Sequence, residues 1–508
     1  MNHPIPCLCR LAVFCLVVSV AGFLHAGPRD PVTVSRPAEG AGPAFVPGTR
    51  LVGRLPGQEY VEEEFFVEGK ADLFNYAHNP PLSHTDITAV QKAVPYKTRL
   101  IVRRPADPAG FDGNVIVEWW NSTAGFDTAP AWDPSAGFLA RRGAIYVGVT
   151  NSTTSLDFLV KGCRVFGILP PVCGTRYATL SLPENGLAYE MMGQIAYLLR
   201  VGGTRSPLPS AYRVQRLFHV GESQQAGSVI TYASAFHLAG VNSGYFIQSG
   251  IAARPINFGP RCGDADVPGF PACTPRLQLP QARVRTDLPV PVYQLVTQTD
   301  FETLAFGTAG RQSDTARFRY YEVTGGAHNT VHKDVQIVPA GLLGPKPFYL
   351  DDFCASELNT TADGPVYVSY VMNALWLRMI RQATNANPPP AGQVMEQVNG
   401  TLRRDARGNV LGGVRLPALE VPTATFVSTN VADPALPAGL KGIGNLACRL
   451  SGSVVPFDPM TLAELYPSGR AYLDKVRASV RALEQQGLLL RSDSATVIRD
   501  AERFAAEL

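Results

Sequence analysis

Charge is scarce in this chain. Asp, Glu, Lys and Arg together make up 17% of its 508 residues, and the formal net charge is +3. No basic tract is present, so the electrostatic footprint of a DNA- or RNA-binding protein is missing. No C-x-x-C pair occurs and no histidines cluster near the cysteines, which argues against a zinc site, since its ligands recur at such spacings. Beyond the first residues no long apolar run appears, whereas a membrane-spanning helix needs about 20 apolar residues. No internal repeat is visible either. What remains is an ordinary globular composition, 45% hydrophobic, on a chain long enough to bury a large core.

The first residues, MNHPIPCLCR followed by LAVFCLVVSVAGFL and His25-Ala26-Gly27, carry one arginine, an apolar run of about 14 residues and small residues at its end. This is the pattern of a signal peptide over 1–26, cleaved near Ala26, and it places the mature protein outside the cytoplasm, secreted or periplasmic. Removing it takes Cys7, Cys9 and Cys15 and leaves six cysteines. An even number in an exported chain implies disulfides. The most economical pairing joins neighbours, Cys163 with Cys173 and Cys262 with Cys273, and leaves Cys354 to Cys448; six cysteines allow 15 connectivities.

Residues 27–57 read as an irregular Pro- and Gly-rich lead-in. Alternating charged and apolar residues from Glu59 to Phe74, and then Thr98 to Arg103, predict exposed antiparallel edge strands. Asn114–Trp120 and Ala144–Thr150 are apolar and β-branched, as strands buried on both faces of a parallel sheet must be. Leu187, Met191, Ile195 and Leu198 form a helical stripe for one sheet face. Leu217–Val220 then meets Gly221-Glu222-Ser223-Gln224 and an Ala-rich helical stretch. A strand, a sharp turn carrying a serine and a helix make a nucleophile elbow, in which Ser223 would attack and Gln224 N–H would face the developing oxyanion. The usual G-x-S-x-G is incomplete here: Gln225 stands at its last glycine, and the small residues follow as Ala226 and Gly227. A serine in such a turn can also simply cap a helix.

Gly244–Ser249, Pro291–Gln298 and Arg317–Val323 are the next strands. Between the first two, residues 251–289 lose all periodicity and include Cys262 and Cys273, so a disulfide-stapled, lid-like insertion is expected. Asp300 follows the second of these strands, and His328 sits in a Gly-rich loop after the third. Serine, acid and histidine in that chain order make a catalytic triad of Ser223, Asp300 and His328. Glu302 and Asp314 are rival acids. A second oxyanion donor is expected at Asn121 or Ser122, in the loop after the strand Asn114–Trp120. Past His328 a helix over Val366–Ala383, extended pieces over Gln393–Phe426 and a helical stretch over Tyr466–Leu508 are predicted.

Taken together, Gly221-Glu222-Ser223-Gln224, PVYQLVTQTD, FRYYEVTGGAH, GGVRLPALEVPTATF and LYPSGRAYLDKV resemble a family of secreted bacterial proteins known as the alpha/beta hydrolase domain family. The resemblance covers nearly all of the chain after Glu59. It implies an α/β-hydrolase fold, a mostly parallel, doubly wound sheet over 58–385 with a C-terminal α+β extension over 386–508 packed on it. It also implies the same triad, but no particular substrate. The expected reaction is hydrolysis of a carboxylic ester, of a small molecule or a polymer, through an acyl-serine and without metal or organic cofactor. Alternatives are acyl transfer to an alcohol, peptide cleavage by the same triad, and a non-catalytic binding protein on a hydrolase scaffold. Protein recovered outside the cytoplasm should have the intact mass of a chain beginning near Gly27; Met1 retained in that fraction would exclude export with cleavage.

Overall fold

The computed structural model describes residues 32–48, 59–164, 172–259, 274, 277, 281–329, 336–338, 346, 348–359, 366–384 and 389–508. The signal-like start, the middle of the 251–289 insertion and the Cys262–Cys273 pairing lie outside these residues.

Nine strands form one sheet: β1 (Thr33–Ser35), β2 (Tyr60–Tyr76), β3 (Ile87–Pro105), β4 (Asn114–Trp119), β5 (Ile145–Val149), β6 (Arg216–Glu222), β7 (Gly244–Gln248), β8 (Val292–Thr297) and β9 (Phe318–Val323). Their order is β1-β2-β3-β5-β4-β6-β7-β8-β9. The first four are antiparallel neighbours, and β5 through β9 run parallel. This is the doubly wound, mostly parallel sheet of an α/β-hydrolase. One strand corrects the sequence reading. The lead-in contributes β1, whose Thr-Val-Ser is too short to display a period of two but pairs with Phe66–Glu68 of β2.

Helices α1 (Ala136–Arg142), α2 (Thr153–Val160), α3 (Ala188–Val201), α4 (Gln224–Ala235), α5 (Gln298–Glu302) and α6 (Val368–Gln382) follow in chain order. The pleat divides the buried side chains between two faces. On β4, Val115, Val117 and Trp119 join a core with Met191 and Ile195 of α3 and Val229 of α4. Ile116, with Trp120 just past the strand, joins the other core, where Leu139 of α1 and Leu375 and Trp376 of α6 pack. Both faces are covered, which is why these strands read as continuous apolar runs rather than alternating ones.

Between Pro417 and the C-terminus lie α7 (Pro417–Glu420), α8 (Lys441–Ser451), α9 (Pro459–Leu465), α10 (Gly469–Gln486) and α11 (Arg491–Ala505). The stretch expected to be helical from Tyr466 onward is two helices, because Gly487 ends α10 in the left-handed conformation (φ 73°). Tyr472, Val476, Val480 and Leu483 of α10 enter the same core as α6, so the extension completes one face of the structure. Among the described residues no helix is long and apolar enough to cross a membrane.

Among the described residues two disulfides are formed as expected, Cys163–Cys173 and Cys354–Cys448, with sequence separations of 10 and 94. Cross-linking limits the unfolded chain more as the closed loop grows, giving about 3 kcal/mol for the short loop and about 4 to 5 kcal/mol for the long one in the chain-entropy description. The double variant Cys354→Ala/Cys448→Ala should therefore lower the thermal midpoint more than Cys163→Ala/Cys173→Ala does. Calorimetry of the two variants gives the order, and the reverse order would show that native packing outweighs loop length.

Candidate active site

β6 delivers its chain directly into a turn at Ser223, which adopts φ 54° and ψ −115°. A non-glycine residue there is strained by about 1 to 3 kcal/mol, and the surroundings hold it in place. Ser223 N–H donates to the Gln248 carbonyl at the end of β7 (2.9 Å), and α4 starts at the next residue. Two glycines allow the sharp reversal. A Cβ at Gly221 would come within 2.5 Å of the Gln225 carbonyl oxygen, and one at Gly250 within 2.4 Å of the Ala226 Cβ. With Gln225 at the last glycine of the motif, the close approaches to the start of α4 are made by Gly221 and by Gly250, just past β7. Gln225 is buried, with its Oε1 lacking a hydrogen-bond partner.

Asp300 is set by local sequence. Thr297 and Asp300 form a capping box at the start of α5: the Thr297 side chain accepts from Asp300 N–H, and Asp300 Oδ2 accepts from Thr297 N–H (2.7 Å) and from Thr297 Oγ1 (3.0 Å). Oδ1 is left to meet His328 Nδ1 at 2.5 Å. The rival acids are engaged elsewhere. Glu302 pairs with Arg404 and accepts from Gln298 Nε2 (3.0 Å), while Asp314 accepts from Gly392 N–H (2.6 Å).

The other imidazole nitrogen has a partner that the sequence reading passed over. His328 Nε2 lies 3.0 Å from Glu222 Oε1. Among the described residues no hydrogen bond joins Ser223 Oγ to the imidazole; in substrate-free sites such bonds are often long and tighten on binding. The signal was in plain view as the middle residue of Gly221-Glu222-Ser223, since an acid at the end of a strand buried on both faces needs a partner.

Asp300, Glu222 and His328 are 0%, 4% and 4% exposed. Burial raises the Glu222 carboxyl above the usual carboxylate range; the His328 charge and the Asn121 amide oppose the rise, and Asp300 adds to it. For His328 burial alone would lower the pKa, but the Glu222 and Asp300 carboxylates outweigh it and push the imidazole up to about 9. His219 on β6 has the opposite fate. Burial holds it near 3 and neutral, between Trp119 Nε1 (3.2 Å) and Asn242 Oδ1 (3.1 Å).

The loop after β4 corrects one assignment. Asn121 N–H donates to the Thr128 carbonyl (3.1 Å), so that backbone donor is taken up within its own loop and does not serve an oxyanion. The Asn121 side chain instead donates through Nδ2 to Glu222 Oε2 (2.9 Å) and to the Glu222 carbonyl (3.2 Å). Ser122 Oγ donates to Gln224 Oε1 (2.8 Å), which ties this loop to the start of α4. Gln224 N–H, at the first helical position, has no intrahelical acceptor. No group of three or more His, Cys, Asp or Glu residues that could hold a metal ion occurs among the described residues.

A strand-turn-helix serine at the same end of a parallel sheet as a buried acid–histidine pair, on a sheet of this order, defines the class of α/β hydrolases. The chain matches the alpha/beta hydrolase domain family over residues 30–499 and belongs to it. No curated protein matches it by sequence. Solved structures similar to it include a ligand-bound form of the rice cell wall degrading esterase LipA from Xanthomonas oryzae (12% identity, 39% of this chain and 44% of that one, TM-score 0.23). An alpha-beta serine hydrolase homologue from Coxiella burnetii (10%, 46% and 85%, TM-score 0.26) and a glucuronoyl esterase from Solibacter usitatus (10%, 57% and 83%, TM-score 0.24) are also similar. The match spans less than half of the LipA chain.

Ser223→Gly removes the Cβ that makes φ 54° costly. It should raise the free energy of unfolding by about 1 kcal/mol, read from denaturant midpoints; an unchanged or lower midpoint would show that the turn is not strained.

Proposed function

We propose that the protein is a secreted serine hydrolase that cleaves a carboxylic ester, of a small molecule or a polymer, through an acyl-Ser223 intermediate. The observation that carries this reading is the strained Ser223 turn set at the same end of the sheet as the buried Asp300–His328 pair. Serine at its ordinary pKa is a poor nucleophile and needs a base. His328 Nε2 takes the Ser223 proton as Oγ attacks the ester carbonyl, and Asp300 holds the imidazole through Nδ1. Gln224 N–H and Ser122 N–H stabilise the tetrahedral oxyanion, each donor contributing about 3 to 4 kcal/mol to the barrier reduction. The alkoxide leaves with the proton from Nε2, and water attacks the acyl-serine by the same route. Two disulfides support an exported protein.

A fluorophosphonate should label the protein at Ser223, located by peptide mass spectrometry, and a panel of esters of varied acyl length should be turned over. Ser223→Ala and His328→Ala should remove nearly all of that turnover in folded protein, and Asp300→Asn should cost about 10⁴ in kcat. Glu302→Gln and Asp314→Asn should cost far less. Full turnover in Ser223→Ala would overturn the reading.

A further inference from the structure

A general base must offer a lone pair, yet the nitrogen of His328 that would do so already faces a carboxyl. Glu222 Oε1 is 3.0 Å from Nε2 while Asp300 Oδ1 is 2.5 Å from Nδ1, so the ring lies between two buried acids. Such a ring is most stable as the imidazolium, donating on both sides. Glu222 cannot easily turn away. It is the last residue of β6, its backbone is in register with Gln248 of β7, and its second oxygen is held by Asn121 Nδ2 at 2.9 Å.

From this geometry we infer that Glu222 is a positioning residue that holds His328 in its charged form through Nε2, so that the base becomes available only in alkaline solution. The inference rests on the hydrolase reading for its functional consequence, but not for the contact itself. Among the described residues, the charged groups facing the imidazole are Glu222 from β6 and Asp300 from α5. The loop after β4 contributes the neutral Asn121, bonded to Glu222. Among the described residues the ring's own charge is the counter-ion of both acids. Burial disfavours that charge and the two carboxylates favour it, with a net upward shift. The sign follows directly. A raised imidazole pKa leaves the neutral base scarce at neutral pH, and activity grows as pH climbs through the raised value. The proton balance is simple: Nε2 loses its proton to solvent hydroxide, then accepts the proton of Ser223 Oγ as the Oγ–carbonyl bond forms.

Two measurements test this on the full-length protein. The rate of fluorophosphonate labelling and kcat/KM for a simple ester, each followed from pH 5 to 10, give the basic limb. NMR of histidine labelled at Cε1, with the signal assigned by its loss in His328→Asn, gives the imidazole titration without any need for activity. In the native protein both should rise above the ordinary histidine range. In Glu222→Gln both should move down together by about one pH unit or more, as expected on removing an opposite charge at this distance. Glu222→Asp should retain part of the upward shift. An ordinary titration of His328 in the native protein, or a loss of kcat in Glu222→Gln with the limb and the titration unmoved, would overturn the inference. Absence of labelling and turnover in every form, with the titration shifting as described, would reject the hydrolase reading and leave the Glu222–His328 contact standing.

Discussion

One imidazole held between two buried carboxylates is the constraint on which the rest of the structure depends. With His328 charged, Asp300 and Glu222 together carry one more negative charge than the ring can balance. In a site this buried, an uncompensated charge costs several kcal/mol, so neutral donors have to make up the difference. Thr297 supplies two, its N–H and Oγ1, to Asp300 Oδ2, and Asn121 supplies Nδ2 to Glu222 Oε2. Each acid thus has one oxygen fixed by the fold and one facing the ring. The capping box of α5 and the side chain after β4 act less as local turn chemistry than as the supports that orient the imidazole.

The C-terminal extension belongs to the same device. The loop carrying His328 is rich in glycine and would not hold a ring in place unaided. Thr324 N–H donates to the Val414 carbonyl (3.1 Å), and Asn329 N–H to the Leu450 carbonyl (2.9 Å), so the loop is bound to the extension on both sides of the histidine. Asn359 Nδ2 donates to the Gly325 carbonyl. On the acid side, Thr299 and Thr303 donate through their hydroxyls to the Ser428 carbonyl (2.9 and 2.8 Å). The Cys354–Cys448 bridge joins α8, whose last turn contains Leu450, to the segment just before Asn359. The extension therefore fixes the distance between Asp300 and His328, which separate elements would otherwise leave loose.

The sheet was legible because burial on both faces leaves an unambiguous trace. Asn114–Trp120, Ala144–Thr150 and Leu217–Val220 could be read directly, and the order of serine, acid and histidine followed. Short pieces carry no period, so β1 and the two-residue strands Gln397–Val398 and Thr401–Leu402 could not be delimited. Asn121 was placed in the right loop but in the wrong role, since a sequence shows that a loop follows a strand and not which donors that loop uses internally. Glu222 was missed for a different reason. Motif reading treats the residue before the serine as arbitrary, whereas a carboxyl ending a strand that is buried throughout has to be answered by a partner. Applying that demand to every ionisable residue in an apolar strand would also have singled out Glu118, whose carboxylate is capped by the N–H groups of Ala131 and Trp132 and by the Tyr146 hydroxyl.

The two buried glutamates then separate structure from chemistry. Glu118 has its oxygens met by three neutral donors, and burial raises it to about 8; its role ends at fixing the loop between β4 and α1. Glu222 is met by one neutral donor and by an imidazole that can give up its proton. A carboxyl satisfied by amides and hydroxyls titrates independently of its partners, because they do not change charge. A carboxyl satisfied by histidine does not, since each group stabilises the ionised form of the other and both lose that stabilisation when either changes state. Placing such a pair one residue before a strained serine couples the charge of the base to the strand that carries the nucleophile.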